Sequence, residues 1–336
     1  MKRRNFIRNG ARAALAMGVM FLYACKETKQ PASAPNGEVA ETTTKTPAPF
    51  FKLSLAQWSM HKMVQDDGVD PYTFAEKAKS WGFSGLEYVS QLYDAELKPL
   101  GYSEAAMAAF VEKSNAAAKE HGLQNVLIMV DRQGDLAVDD ESERNETVEK
   151  HKKWVDAAAA MGCHAIRVNL NGSSEPEEWK SNSVDGLRKL ASYGAAKNIN
   201  IIVENHGGLS SNAALLAEVM KSVDMDNCGT LPDFGNFCIK RMDPEDYSKG
   251  CAEMYDIYKG VSELMPHAKA VSAKSHDFDA EGNETEIDYV KMLQIVKDAG
   301  YTGFIGVEYE GRELSEEAGI AATRDLMLKA VKEMHE

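Results

Sequence analysis

The sequence predicts an α/β fold, a closed (β/α)8 barrel of parallel strands, on three observations. Apolar, β-branched runs alternate with segments of helical spacing eight times from Leu53 onward; glycines end several of the helices just before the next strand; and three strands finish on a carboxylate. In such a barrel the carboxyl ends of the strands form the face that carries chemistry.

Strands are expected at Leu53 to Trp58, Gly85 to Val89, Asn125 to Val130, Ala165 to Leu170, Ile199 to Asn205, Cys228 to Phe234, Ala268 to Ser275 and Gly303 to Tyr309. Between them the apolar spacing turns helical. Phe74, Ala78 and Trp81 make one stripe, and Leu187, Leu190, Ala191 and Gly194 another. The same spacing recurs at Leu216, Val219, Met220 and Val223, at Met254, Ile257, Tyr258 and Val261, and at Tyr289, Met292, Leu293 and Val296. Gly82, Gly122, Gly162 and Gly300 each close a helix ahead of a strand. A doubly wound open sheet is the competing architecture. No GxGxxG or GxxxxGK[ST] stands at a strand exit, so the usual nucleotide signatures are missing.

The chain of 336 residues divides into three parts. Residues 1–24 read as an export signal: Arg3-Arg4-Asn5-Phe6-Ile7 resembles a twin-arginine signal, and the apolar run Ala13 to Ala24 is too short to span a bilayer. Leu22-Tyr23-Ala24-Cys25 resembles a lipobox, with Cys25 as the lipidated residue; a plain signal peptide with a chance cysteine is the alternative. Residues 25–50, broken by Pro31, Pro35, Pro47 and Pro49, read as a tether. Residues 51–336 are one barrel domain. The expected location is therefore the periplasm or the outer membrane of a Gram-negative cell, with the membrane touched only through the lipid.

The formal charge is -14, and residues 1–24 hold five cations and no acid, so the rest of the chain is more acidic still. An acidic body repels phosphate backbones, which argues against nucleic acid and mildly against phosphorylated sugars. Beyond Cys25 stand Cys163, Cys228, Cys238 and Cys251, with no CxxC pair, so a zinc knuckle is not expected. A disulfide is possible in an oxidising periplasm, but Cys163 and Cys228 read as small buried hydrophobes, and none of the four is assigned chemistry.

The strand ends carry the functional argument. Glu204 and His206 close the fifth strand, Asp233 the sixth and Glu308 the eighth. Parity puts Ser272, Lys274 and His276 on one face of the seventh, while Glu87, Asp131 and Asn169 stand at the ends of the second, third and fourth. Carboxylates gathered at one mouth repel unless a cation or shared protons hold them, and a divalent ion (Mn²⁺, Mg²⁺, Co²⁺ or Zn²⁺) is the simplest answer. Taken singly, each acid reads equally as a solvated loop residue. His61, His206 and His276 fall on the catalytic rim; His121, His164 and His267 fall on the opposite rim.

These motifs resemble the xylose-isomerase-like TIM barrel superfamily, in its sugar phosphate isomerase/epimerase branch. The resemblance runs from Lys52 to about Val331 through Leu53-Ser-Leu-Ala-Gln-Trp-Ser59, Leu86-Glu-Tyr-Val89, Val203-Glu-Asn-His-Gly-Gly208, Leu231-Pro-Asp-Phe-Gly-Asn236 and Gly306-Val-Glu-Tyr-Glu-Gly311. It implies metal ligation by Glu204, Asp233 and Glu308, with the two glutamates also serving as the acid/base pair. Where the family's epimerases place a ligand histidine, this chain has Ser272, and where a further histidine is common it has Asn236. Either His276 supplies the missing imidazole, or Lys274 replaces part of the positive charge and the metal is weakly held or absent; a bound metal with His276 or His206 nearby is the favoured reading, with Lys274 as a third catalytic group and Trp58, His206, Glu87 and Asn236 as substrate contacts.

The implied chemistry is proton abstraction beside a carbonyl through an enediolate, giving an isomerase or epimerase of unphosphorylated sugars. A lyase or dehydratase acting on a keto-sugar uses nearly the same residues, and a non-catalytic sugar-binding lipoprotein is a third reading. A nuclease ranks last on charge. Barrels of this kind often pair, so a homodimer is also an expectation.

Overall fold

In a computed structural model of the protein, the described residues are 48–335, apart from 244, 245, 247 and 248. The export signal, the lipobox at Cys25 and all but the end of the tether lie outside the described residues. Among those described, no helix is long and apolar enough to cross a membrane.

The described residues form ten strands: β1 Lys52–Ala56, β2 Gly85–Val89, β3 Gln124–Met129, β4 Ala165–Val168, β5 Asn200–Glu204, β6 Cys228–Leu231, β7 Cys238–Arg241, β8 Cys251–Met254, β9 Val271–Ser275 and β10 Phe304–Tyr309. Eight of them form one parallel sheet in the order β6-β5-β4-β3-β2-β1-β10-β9. Neighbours in space are neighbours in sequence, β7 and β8 aside, which excludes the doubly wound alternative. The ring is completed by parallel bridges Thr230↔Ala268 and Asp233↔Ser272, with Ser272 N donating to Pro232 O at 3.0 Å and Phe234 N to Ser272 O at 3.1 Å. β6 ends three residues earlier than expected. Pro232 has no N–H to give the ladder, so the seam is carried by the bridges beyond it.

The helices follow the predicted stripes. Leu187, Leu190, Ala191 and Gly194 are buried on Pro176–Ala195, Leu216, Val219, Met220 and Val223 on Ala213–Val223, and Tyr289, Met292, Leu293 and Val296 on Tyr289–Asp298. Gly82, Gly122, Gly162 and Gly300 all take positive φ at the helix ends where the sequence places them. Alternation along each strand separates two environments. Leu55, Val203, Ala273 and Val307 point outward, building the apolar layer under the helices, whereas Ser54, Glu204, Lys274 and Glu308 point into the ring. The upper half of the barrel interior is therefore polar and charged, yet closed to bulk water.

One expectation fails between β6 and β9, and one open question is answered. Met254 does not belong to a helical stripe: it lies in β8 and is 58% exposed. The helix begins only at Ile257, where Asp256 accepts a hydrogen bond from Lys259 N at 2.7 Å and caps it, so the Met254 spacing is coincidental. β7 and β8 instead pair antiparallel as a hairpin stapled by a Cys238–Cys251 disulfide, so two of the cysteines left without a role do have one. Cys163 is buried, as expected, and Cys228 partly so.

Cross-linking residues 13 apart restricts the unfolded chain by about 3 kcal/mol. Reduction is expected to speed amide exchange across 237–255 while leaving the eight parallel strands as protected as before. Hydrogen exchange read by mass spectrometry checks this, and unchanged hairpin protection contradicts it.

Candidate active site

The carboxyl ends of β5 and β10 and the turn after β6 each deliver one acid to the same point. Ligand oxygens of Glu204, Asp233 and Glu308 all lie within 4.8 Å of one another, and all three side chains are buried. Three charges at that spacing repel by roughly 3–4 kcal/mol per pair at an effective dielectric of about 20. The sum is comparable to the whole stability of an ordinary domain, about 5–15 kcal/mol. Some compensation is obligatory.

Part of it comes from hydrogen bonds. Asp233 Oδ1 accepts from the backbone N–H of Gly235 and Asn236 at 2.9 and 2.8 Å, which fixes the carboxylate in the turn that Pro232 begins. Asn205, just after β5, accepts from Asp233 N at 2.8 Å and donates to the carbonyls of Asp233 and Asn236 at 3.0 and 3.1 Å, tying two strand ends together. Asn236 Nδ2 donates to Glu204 Oε1 at 2.9 Å. Ser272 Oγ stands 2.6 Å from Asp233 Oδ2 and 2.9 Å from Glu308 Oε2. A hydroxyl has one proton, so only one of these contacts can be its donation. The other requires a proton on a carboxyl or a cation between them.

The rest comes from two buried cations. Lys274 Nζ lies 3.3 Å from Glu308 Oε2 and 2.9 Å from Glu310 Oε1. Arg167 on β4 contacts Asp131 Oδ1 at 2.7 Å and Glu204 Oε2 at 2.8 Å. The second contact is too poorly aligned for a hydrogen bond, leaving Arg167 Nε and Glu204 Oε2 without hydrogen-bond partners. Asn169 donates to Asp131 at 2.9 Å and accepts from Arg167 at 3.2 Å.

Burial, opposed by Arg167 and reinforced by Glu308, raises the Glu204 pKa from its ordinary 4.5 to about 7. Burial does the same to Asp233, against Lys274, lifting it from 3.8 to about 7. At Asp131 burial is outweighed by Arg167, which holds the carboxyl below its ordinary value, and at Glu310 Lys274 overrides burial and brings it to about 2. The site is graded: Asp131 and Glu310, each beside a cation, are held below the ordinary carboxylate value, whereas Glu204 and Asp233 are raised toward neutrality.

Of the other residues expected here, Glu87 is enclosed one layer below the mouth. Ser54 Oγ donates to its Oε1 at 2.5 Å, and its Oε2 sits where a Cβ on Gly306 would come within 2.3 Å, so glycine at 306 makes room for it. Burial, partly offset by Ser54, lifts its pKa to about 8. Glu87 supports the floor rather than facing a substrate. His206 stands at the solvent-open mouth, with its backbone N–H donating to Ser210 Oγ at 3.0 Å. Trp58 is half-buried and stacks on His61, ring centroids 4.4 Å apart. His276 does not join the carboxylates. β9 ends at Ser275, and the loop acid Glu284 accepts from His276 N at 3.1 Å, while the ring Nδ1, 3.9 Å from Glu284, has no hydrogen-bond partner. Arg167 and Asn205 were not expected. The available signal for Arg167 was a lone cation at interior parity in an otherwise apolar strand.

Fold and site together define a parallel barrel with an acidic, buried centre at the strand carboxyl ends. The chain belongs to the xylose isomerase-like TIM barrel family, which matches residues 75–330. It is similar in structure to a D-allulose 3-epimerase from Methylomonas sp. at 15% identity and a TM-score of 0.62, covering 83% of this chain and 98% of that one. An IOLI protein with a zinc atom matches at 15% identity and 0.61, over 84% and 99% of the two chains. The probable 3-DHS dehydratase from Bacillus anthracis matches at 16% and 0.57, over 83% and 98%. At these identities the likeness is one of fold. No curated protein matches the sequence.

Glu204, Asp233 and Glu87 bind protons more tightly in the folded chain than in the unfolded one. Stability of the metal-free protein is therefore expected to fall as pH rises from about 4 to about 8 and to level off above. A divalent ion takes the place of those protons, so its stabilisation grows over the same window. Thermal melts at about pH 5 and about pH 8, with chelator and with excess ion, check this; an ion effect equal at both contradicts it.

Proposed function

We propose that the protein is a divalent-metal-dependent isomerase or epimerase of unphosphorylated sugars, acting by proton abstraction next to a carbonyl. The observation that carries this reading is the convergence of Glu204, Asp233 and Glu308 at one buried point of a family barrel. The three buried, converging acids suit a cation, which when bound supplies Lewis-acid stabilisation of negative charge developing on the substrate's oxygens.

The chain's own residues do the rest. Glu204 is held by Asn236 at one oxygen, and its pKa near neutrality suits a base that must take a proton and release it. Glu204 and Glu308 are separated on the ring by β6 and β9, so they address a molecule in the mouth from different sides. One can remove a proton and the other return it to the opposite face or to the adjacent carbon. Lys274 acts by charge rather than as a proton donor: burial disfavours its ammonium, but Glu308, Glu310, Asp233 and Glu204 together raise its pKa well above the ordinary value. Six acids (Glu87, Asp131, Glu204, Asp233, Glu308 and Glu310) surround only Arg167 and Lys274, a poor setting for a phosphate. The substrate in this reading is a neutral sugar, with His206 and Asn236 as its polar contacts and the Trp58 ring at the rim.

Elimination from a keto-sugar is the second reading, favoured by Lys274: a fixed ammonium beside Glu308 also stabilises a departing oxygen. The export signal and lipobox support an envelope location, which a disulfide between Cys238 and Cys251 also suits.

Deuterium incorporation from heavy water into a panel of keto-sugars tests the reading. Wild-type protein is expected to exchange a carbon-bound proton, with product mass separating isomerisation from loss of water or aglycone. Glu204→Gln and Glu308→Gln are each expected to lower exchange by about 100-fold or more. Full exchange in both variants removes the glutamate pair from the mechanism, and no exchange in the wild type leaves a sugar-binding protein.

A further inference from the structure

Resting on the reading of the mouth as a sugar site, we propose that Arg167 and Asp131 form a subsite for two hydroxyls on adjacent carbons of the substrate, Arg167 Nη2 donating to one and the other donating to Asp131 Oδ2. A guanidinium carries five N–H groups. Arg167 is 3% exposed, and its Nη1 spends two of them on Asp131 Oδ1 at 2.7 Å and Asn169 Oδ1 at 3.2 Å, while Nε faces Glu204 Oε2 at 2.8 Å. Among the described residues nothing accepts a hydrogen bond from Nη2, and unlike Nε it is not fully enclosed. Asp131 shows the same division. Its Oδ1 takes both Arg167 and Asn169, and Oδ2, in a side chain 15% exposed, accepts no hydrogen bond.

An arginine that only neutralised its neighbours would meet Asp131 through the two parallel bonds of a fork. Here a single bond joins them, and a donor and an acceptor are left beside it. The pair is also held in place. Asp131 N donates to Ser90 Oγ at 2.9 Å, Gln133 Nε2 donates to the Asp131 carbonyl at 3.4 Å, and Arg132 (φ 57°) keeps the chain in a left-handed bend, uncommon outside glycine, just past the carboxylate. The two free atoms select their ligand by chemistry. Arg167 can only donate; at Asp131 burial is outweighed by Arg167, so the carboxylate stays ionised and can only accept. A phosphate or carboxylate on the substrate would suit the arginine but be repelled by the aspartate, and a lone carbonyl would leave the aspartate unmet. A hydroxyl both gives and takes, so a vicinal diol meets both. Because Arg167 also touches Glu204, the diol lies next to the carbons on which that glutamate works.

Deoxyfluoro ketohexoses test the assignment, because fluorine fills a hydroxyl's place and accepts weakly but has no proton to give. Calorimetry with excess Mn²⁺ present measures binding of each ketohexose and of its deoxy and deoxyfluoro analogues, without need of turnover. Expected in the wild type are two adjacent positions at which loss of the hydroxyl weakens binding by ~10-fold or more. Fluorine restores part of the affinity at the position facing Arg167 and none at the position facing Asp131. In Asp131→Asn, whose Oδ1 still accepts from Arg167 and Asn169, an amide N–H stands where Oδ2 was, and the penalty for fluorine at the second position is expected to shrink by ~10-fold. Equal tolerance of fluorine at every position, or a penalty unmoved in Asp131→Asn, removes Asp131 from the sugar. Should that variant fail to fold, the wild-type fluorine pattern alone decides. A wild type that binds no ketohexose defeats the subsite itself, whereas binding with the expected pattern but without deuterium exchange supports the subsite and overturns only the isomerase reading.

Discussion

Mutual repulsion among Glu204, Asp233 and Glu308 is the constraint around which the upper barrel is organised. Each acid is buried and each faces the other two, an arrangement that costs several kcal/mol per pair unless it is compensated. Asn236, Ser272, the two backbone donors to Asp233, Arg167 and Lys274 are all compensations for it. Arg167 and Lys274 are the penultimate residues of β4 and β9, Ser272 stands two residues before Lys274 on the same face, and the others come from the turn after β6. The amino-terminal half of the ring and the layer under the helices are apolar and bear the stability.

The closing seam of the ring is also the site. β6 stops at Leu231 because Pro232 cannot extend the ladder, and the bridge between Asp233 and Ser272 then joins the two edges of the sheet at the level of the carboxylates. Architecture and chemistry therefore share one turn: the backbone bonds from Ser272 N to Pro232 O and from Phe234 N to Ser272 O close the barrel on either side of Asp233. The stapled hairpin begins two residues beyond Asn236, and Ser211 Oγ donates to the Asn236 carbonyl at 2.6 Å, so the rim of the mouth is braced from both β5 and β6.

Much of this was legible in the chain because strand parity is simple. An apolar run that ends in an acid, repeated at Glu204, Asp233 and Glu308, places three carboxylates on one rim, and the two-residue period brings Ser272 and Lys274 to the same face. What parity does not contain is depth and competition. Glu87 has the right parity but sits a layer too low, under Gly306. His276 has the right parity too, but its strand has already ended at Ser275 and its backbone N–H is tied to a loop carboxylate, Glu284. Arg167 acquires its role only through Asp131, just after β3, and Glu204 on β5, which no single strand reveals. At Met254 a helical spacing arose by chance in a segment that pairs as a hairpin, and two cysteines 13 residues apart carried no spacing signal of their own.

The account stands on one cation bound at one point. Anomalous diffraction from crystals of the mature protein soaked in Mn²⁺ measures this directly. The expected result is a single strong peak about 2.1–2.4 Å from one oxygen each of Glu204, Asp233 and Glu308. A peak elsewhere, or none, with the three carboxylates still converged, contradicts it and leaves shared protons, rather than a metal, holding the centre together.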